Sequence, residues 1–378
     1  MRIGIDISAV SHGRGPARFT TEIVRALTAF AKSGDTFFLY SPSGLTMSKL
    51  AVPAAVRAVP LERFRPWLNW TLPRAAAHDR CDVMFFPAND CWLWRAMPSV
   101  VALLDIAPRT TLFEYLPGWK DRLQVLLQMG RVGRVADTIV TISRFSAGQI
   151  AGAVPGSRDK ICVIFCGIGE TFRQPEQPAG NRDGEEPYIL FVGGFDRRKN
   201  IERLLLAYRE LRGRGRRENL LMIGKGGTNS RLYYDLPELV NRCGLAKSVI
   251  VRQGVDDATL AEKYRHALLL VLPSIIEGFG LPVIEAQSCG CPVACSTAAS
   301  LPEVGGDAAS YFDPYDVAAM AGCMEKILTD ESFRARLRER GFENVKRFSW
   351  SRSGEAVYGF LEEAAMHSNR HAKGPAPR

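Results

Sequence analysis

Pro273 to Gly290 (PSIIEGFGLPVIEAQSCG) passes from strand to Gly-rich loop to helix within eighteen residues, and no other stretch limits the fold so tightly. The preceding run Ala267 to Pro273 (ALLLVLP) has the length and composition of a buried parallel strand, and Ser274 to Leu281 supplies turn chemistry. Pro282 fits a first helical turn, where its missing N–H costs nothing, so a helix is expected to begin near Leu281. Its first N–H groups would face the loop with the positive end of the helix dipole behind them. Gly278 and Gly280 let backbone approach a ligand closely, and a diphosphate suits that spot.

Two carboxylates frame the loop, Glu277 before it and Glu285, expected in the first helical turn. A carboxylate accepts two hydrogen bonds from a vicinal diol, making Glu285 a candidate for a ribose and Glu277 for a second polyol such as a sugar ring. The plainer alternative is an acid that favours a helix N-terminus beside a solvated loop acid. The whole string EGFGLPVIEA, preceded by Pro-Ser and followed by Cys289-Gly290-Cys291-Pro292-Val293, resembles the donor-site signature of family-4 retaining glycosyltransferases. The resemblance implies the GT-B fold, an α/β architecture of two Rossmann-like α/β/α domains facing each other across a cleft. It also implies that Gly278, Phe279, Gly280 and Leu281 bind the donor with Glu285, and that no metal or other cofactor is needed.

At 378 residues the chain fits two domains. No run reaches the ~18 apolar residues of a membrane-spanning helix, and Asp6 interrupts the N-terminal apolar stretch, arguing against a signal peptide. A cytoplasmic protein is expected, at the inner face of the cell membrane if its acceptor is lipid-linked. Nine scattered cysteines suit reduced thiols, and Cys289, Cys291 and Cys295 lack nearby partners for a zinc site. A net charge of +9 suits anionic partners. Nucleic acid is not expected among them, since no recognition motif of known spacing occurs.

Met1 to Val10 reads as a strand, His12 to Pro16 as a Gly-rich turn, and Ala17 to Ala31 as a helix with Phe19, Ile23, Leu27 and Phe30 on one face. By resemblance, Gly15 and Arg18 reach the acceptor side of the cleft. Further strands at Thr36 to Tyr40, Asp82 to Phe86, Val100 to Leu104, Thr138 to Ile142 and Ile161 to Phe165 alternate with helical stretches, the pattern of a parallel sheet. Ligands sit at the carboxyl ends of such strands, which singles out Asn89, Asp105 and Ser143. Asp105 would face the reacting centre. Relatives commonly carry His-Asp here; this chain has Leu104-Asp105, and leucine cannot hydrogen-bond a sugar hydroxyl. The basic, aromatic stretches Leu61 to Ala75 and Arg109 to Arg134 fit either ordinary amphipathic helices or a peripheral contact with an anionic membrane.

The expected domains are 1–173 for the acceptor, a linker at 174–187, 188–348 for the nucleotide sugar, a terminal helix at 349–366 that crosses back to the first domain, and a loose tail at 367–378. Tyr188 to Val192 is a buried strand, and Gly193 to Asn200 (GGFDRRKN) leads into a helix from Ile201. Arg198 and Lys199 thus stand at a strand's carboxyl end, where two cations suit a diphosphate, and relatives hold the donor diphosphate at this motif. The implied activity is retaining transfer of a sugar, mannosyltransferase-like, from a GDP- or UDP-linked donor to a glycan or lipid-linked acceptor in polysaccharide assembly. The alternatives are a non-catalytic donor-binding protein and an epimerase or phosphorylase. A nicotinamide dehydrogenase is disfavoured because no GxGxxG follows any strand.

Overall fold

A computed structural model describes residues 1–12, 15–41, 56–60, 67–104, 118–173, 186–227, 229 and 231–372. The chain forms two compact units. By its described residues, the first runs over 1–104, 118–167 and 349–372, and the second over 168–348. Most of the expected linker, residues 174–185, lies outside the described residues, as do Asp105 and the tail beyond 372.

The first unit is built on a seven-stranded parallel sheet in the order β3-β2-β1-β4-β5-β6-β7. Its strands are β1 (Arg2–Asp6), β2 (Thr36–Ser41), β3 (Val56–Pro60), β4 (Val83–Phe86), β5 (Ser99–Ala102), β6 (Thr138–Thr141) and β7 (Ile161–Val163). The second carries six parallel strands in the order β10-β9-β8-β11-β12-β13: β8 (Tyr188–Val192), β9 (Asn219–Ile223), β10 (Val249–Arg252), β11 (Leu269–Leu272), β12 (Val293–Ser296) and β13 (Ala309–Phe312). Central strands read as unbroken apolar runs because helices cover both faces; YILFV of β8 and LLVL of β11 are buried throughout. Both sheets reverse direction of growth once, between β1 and β4 and between β8 and β11, and the crevice outside the carboxyl ends at such a switch is where open α/β sheets bind ligands.

Three strands escaped the sequence reading. β3 (VRAVP) is an edge strand whose Arg and Pro blunt any apolar signal. β12 (VACS) and β13 (ASYF) each carry an alanine and a serine, which thins the apolar run that marks a buried strand.

The long helix Trp350–Ala372 belongs to the first unit and packs along the helix Gly15–Thr28. The approach is backbone to backbone at Gly354, where a Cβ would sit 2.6 Å from the carbonyl carbon of Ala26. Trp350 meets Phe19 edge to face at 5.7 Å, and the Tyr358 hydroxyl donates to Asp35. In the second unit Phe191, Phe195, Ile201, Leu204, Tyr208 and Met222 form the centre of the core and fix the start of the helix Ile201–Gly213 behind the β8 loop.

Candidate active site

The β8 and β11 strands are hydrogen-bonded neighbours, with Leu270 opposite Leu190, so the loops leaving their carboxyl ends emerge side by side. The β8 loop closes with a short 3-10 turn, Arg197–Lys199, and then Asn200 in the left-handed region at φ 58°. Asparagine tolerates that conformation better than most residues. Its side-chain amide donates to the carbonyls of Pro273 (3.1 Å) and Pro314 (2.6 Å), and Ile275 N donates to the Arg198 carbonyl at 2.9 Å. The two loops are therefore stitched together by backbone and side chain alike.

Lys199 and Glu277 meet there. Both are buried, the ammonium donates to Glu277 Oε1, and Ser274 Oγ donates to the same oxygen at 2.9 Å. Arg198 Nε lies 2.9 Å from Asp196 Oδ1, an ion pair at the rim. Burial pushes the Glu277 carboxyl up, but the charges of Lys199 and Arg198 and the hydrogen bonds from Lys199 and Ser274 outweigh it, holding the group below its ordinary value. Oε2 carries none of these bonds, and the ammonium has two further N–H groups. A buried pair with open valences on both members is expensive unless something binds them.

The loop beyond is held from below. Ser300 Oγ donates to the carbonyls of Glu277 and Phe279, each at 2.9 Å, and Ser296 Oγ to that of Ser274 at 2.6 Å. Gly278 and Phe279 are buried, and Phe279 packs edge to face on Phe348 at 5.7 Å. Gly280 adopts φ 99°, and a Cβ there would come 2.7 Å from Leu301 Cδ2, so glycine is required both for conformation and for space. It caps the helix Leu281–Ser288, as the sequence led us to expect, with no side-chain capping bond. The N-terminal peptide dipoles of this helix accordingly face the loop.

Glu285 departs from the expected position. It lies in the second helical turn, not the first, and is 3% exposed. A buried carboxylate needs a partner, and the Tyr264 hydroxyl supplies one, donating to Oε2 at 3.0 Å. Tyr264, on the helix Asp257–His266, is itself buried and edge-on to Phe172 at 6.0 Å. Nothing in the local sequence marks Tyr264, Ser274 or Ser300 as partners of the two acids; only the fold joins them.

The remaining candidates lie in the first unit. Gly15 opens the helix Gly15–Thr28 two residues earlier than its periodicity predicts, is exposed, and has open space where a Cβ would go. Arg18 is half-buried in the first turn. Ser143 caps the helix Arg144–Ala153, accepting from Ser146 N at 3.0 Å, a structural duty. Asn89, at φ 48°, accepts from Leu104 N at 2.6 Å and so fixes the backbone that leads into Asp105. Asp6 at the end of β1 is buried, and its carboxyl is pushed up to about 6, by burial first, against hydrogen bonds from Ser8 and Trp67, with the charge of Asp90 adding to the rise. In the sequence it read only as an interruption of an apolar run.

None of the nine cysteines is in a disulfide. Among the described residues no three His, Cys, Asp or Glu side chains cluster as metal ligands.

Replacing Lys199 with Met strands the Glu277 charge and is expected to destabilise the second unit by about 3–5 kcal/mol at pH 7. A carboxyl with a depressed pKa contributes stability above its ordinary value of 4.5 and loses it as the pH falls below. The deficit of Lys199→Met measured by denaturant unfolding should therefore shrink in acid; a deficit independent of pH would contradict the ion pair.

Residues 172–344 match the family described as Glycosyl transferases group 1. Similar curated proteins include the Escherichia coli O-antigen chain mannosyltransferase B, 36% identical over 222 residues, which is 57% of this chain and 58% of the relative. The serotype-specific mannosyltransferase WbdA of Escherichia coli is 28% identical over 315 residues, 81% of this chain and 38% of the relative. The chain thus spans less than two thirds of the length of either. Among solved structures, Anabaena HepE in complex with UDP-glucose aligns at TM-score 0.75 and 15% identity over 96% of this chain and all of that one. Sucrose-phosphate synthase from Thermosynechococcus elongatus aligns at TM-score 0.72 and 19% identity over 99% of this chain and 100% of that one. These likenesses establish the fold as GT-B, with two Rossmann-like units. Residues 172–344, almost the whole second unit, are thus similar to the glycosyl transferases group 1 family.

Proposed function

We propose that this chain is a glycosyltransferase that moves a sugar, with retention, from a nucleotide donor to a glycan or lipid-linked acceptor in cell-surface polysaccharide assembly. The observation that carries the reading is the buried Lys199–Glu277 pair at the β8/β11 switch point, with unfilled hydrogen-bonding capacity on both sides. Lys199, Arg198 and the amides at the start of the helix Leu281–Ser288 would take the donor diphosphate. As the bond to the sugar breaks, negative charge builds on that diphosphate, and fixed cations and N–H groups lower the barrier without a metal ion. Glu277 Oε2 would accept from sugar hydroxyls, and Glu285 from the ribose diol. In this reading Asp105 would face the reacting centre, and Gly15 and Arg18 would serve the acceptor side.

The mannosyltransferase names of two relatives put mannose first among donors, and the UDP-glucose bound by HepE keeps UDP sugars in the set. A thermal-shift panel of GDP-mannose and UDP-linked hexoses tests binding. A donor at 100 times its Kd adds roughly 2.7 kcal/mol of stability. One donor should stabilise the protein and release its nucleoside diphosphate when acceptor glycan is added, with the release abolished by Asp105→Ala. Binding without release, in the presence of extracts rich in acceptor glycans, would favour a non-catalytic donor-binding protein instead.

The acceptor side also bears on location. No helix of the described residues is long and apolar enough to cross a membrane. Trp119, Leu123 and Leu127 recur every fourth residue on one face of the helix Trp119–Val135 and are exposed, with exposed Arg134 on the same face. Trp70, Leu93 and Trp94 are exposed as well, held near one another by the bond from Leu93 N to Asn69 (2.8 Å), and Arg74 stacks on Trp70 at 3.9 Å. Tryptophan beside arginine on a chain of net charge +9 suits an anionic bilayer surface. Co-sedimentation with phosphatidylglycerol-containing vesicles should fall several-fold in a Trp119→Ser, Leu123→Ser, Leu127→Ser variant; equal binding by variant and wild type would contradict membrane docking through this face.

A further inference from the structure

Resting on the assignment of Glu285 to the donor ribose, we infer that Tyr264 is a positioning residue for nucleotide recognition. Glu285 sits in the second turn of the helix Leu281–Ser288, too far along the helix for the N-terminal amides to orient its carboxylate. The orientation comes from a different helix. Tyr264 projects from Asp257–His266, and its hydroxyl donates to Glu285 Oε2 at 3.0 Å. The ring has no freedom to follow another geometry, since it is wholly buried and edge-on to Phe172. That aromatic is pinned in turn by neighbours: Arg265 donates to the carbonyl of Thr171 at 3.2 Å, and Cys289 Sγ to that of Phe172 at 3.7 Å.

With Oε2 accepting from the tyrosine, rotation about the carboxyl bond is restricted. A pre-oriented acceptor binds a diol more tightly than one that must first be ordered. Phenylalanine at 264 would preserve the packing and remove the restraint alone.

The experiment measures inhibition constants of UDP and GDP, each beside its 2′,3′-dideoxy analogue, and of inorganic pyrophosphate, for wild type, Tyr264→Phe and Glu285→Gln. Tyr264→Phe should weaken the ribonucleotide about tenfold, the size expected for one lost hydrogen-bond restraint, and leave the dideoxy analogue and pyrophosphate within a factor of two. Equal loss for all three ligands would overturn the inference in favour of general damage to the unit, and no loss for any would overturn it outright. Glu285→Gln separates the two layers of the argument. If Glu285→Gln weakens the ribonucleotide no more than its dideoxy analogue, the ribose assignment is wrong and the inference falls with it. If Glu285→Gln weakens the ribonucleotide selectively and Tyr264→Phe does not, only the positioning role is wrong.

Discussion

A buried ammonium and a buried carboxylate face each other where two central strands of one sheet part company, and the second unit is built to keep them there. Taking Lys199 and Glu277 out of water is costly, and their attraction offsets the cost only if the geometry is held. Asn200, Ser274, Ser296 and Ser300 hold it, each spending a side-chain hydrogen bond on one of the two loops or on Glu277 itself. The net result is a rigid polar floor with capacity left over for a ligand. Structural ion pairs usually satisfy themselves; this one does not.

The same constraint explains why the acids on either side of the Gly-rich loop behave differently. Glu277 is held ionised by two cations, so it is an acceptor at neutral pH. Glu285, 3% exposed, faces an aromatic hydroxyl instead. In the proposed reading, Glu277 would take a ligand group close to the diphosphate and Glu285 a neutral diol further along the same molecule. Gly280 makes the arrangement possible by letting the chain turn at positive φ between them without striking Leu301.

Much of this was legible in the sequence, for identifiable reasons. Buried parallel strands leave continuous apolar runs, so YILFV and ALLLVLP announced themselves, and the residues at their carboxyl ends followed by rule. The helix start at Leu281 was legible because Pro and Gly have few other uses in that order. Counted from that same start, Glu285 is the fifth helical residue and falls just past the first turn, where the expectation had placed it one residue too early. Tyr264 and Ser300 were invisible, since each reaches the site from an element separated in the chain by a strand or a loop. Asp6 was read as a break in hydrophobicity, when burial at a strand end gives it a raised pKa. Asp105 lies outside the described residues, and Leu104 before it is buried.

The most direct measurement is a crystal structure of the protein with a nucleoside diphosphate bound. The account predicts phosphate oxygens within hydrogen-bonding distance of Lys199 Nζ and the amides at the start of the helix Leu281–Ser288, with the ribose hydroxyls on Glu285. A diphosphate seated elsewhere, with the Lys199–Glu277 pair untouched, would contradict it.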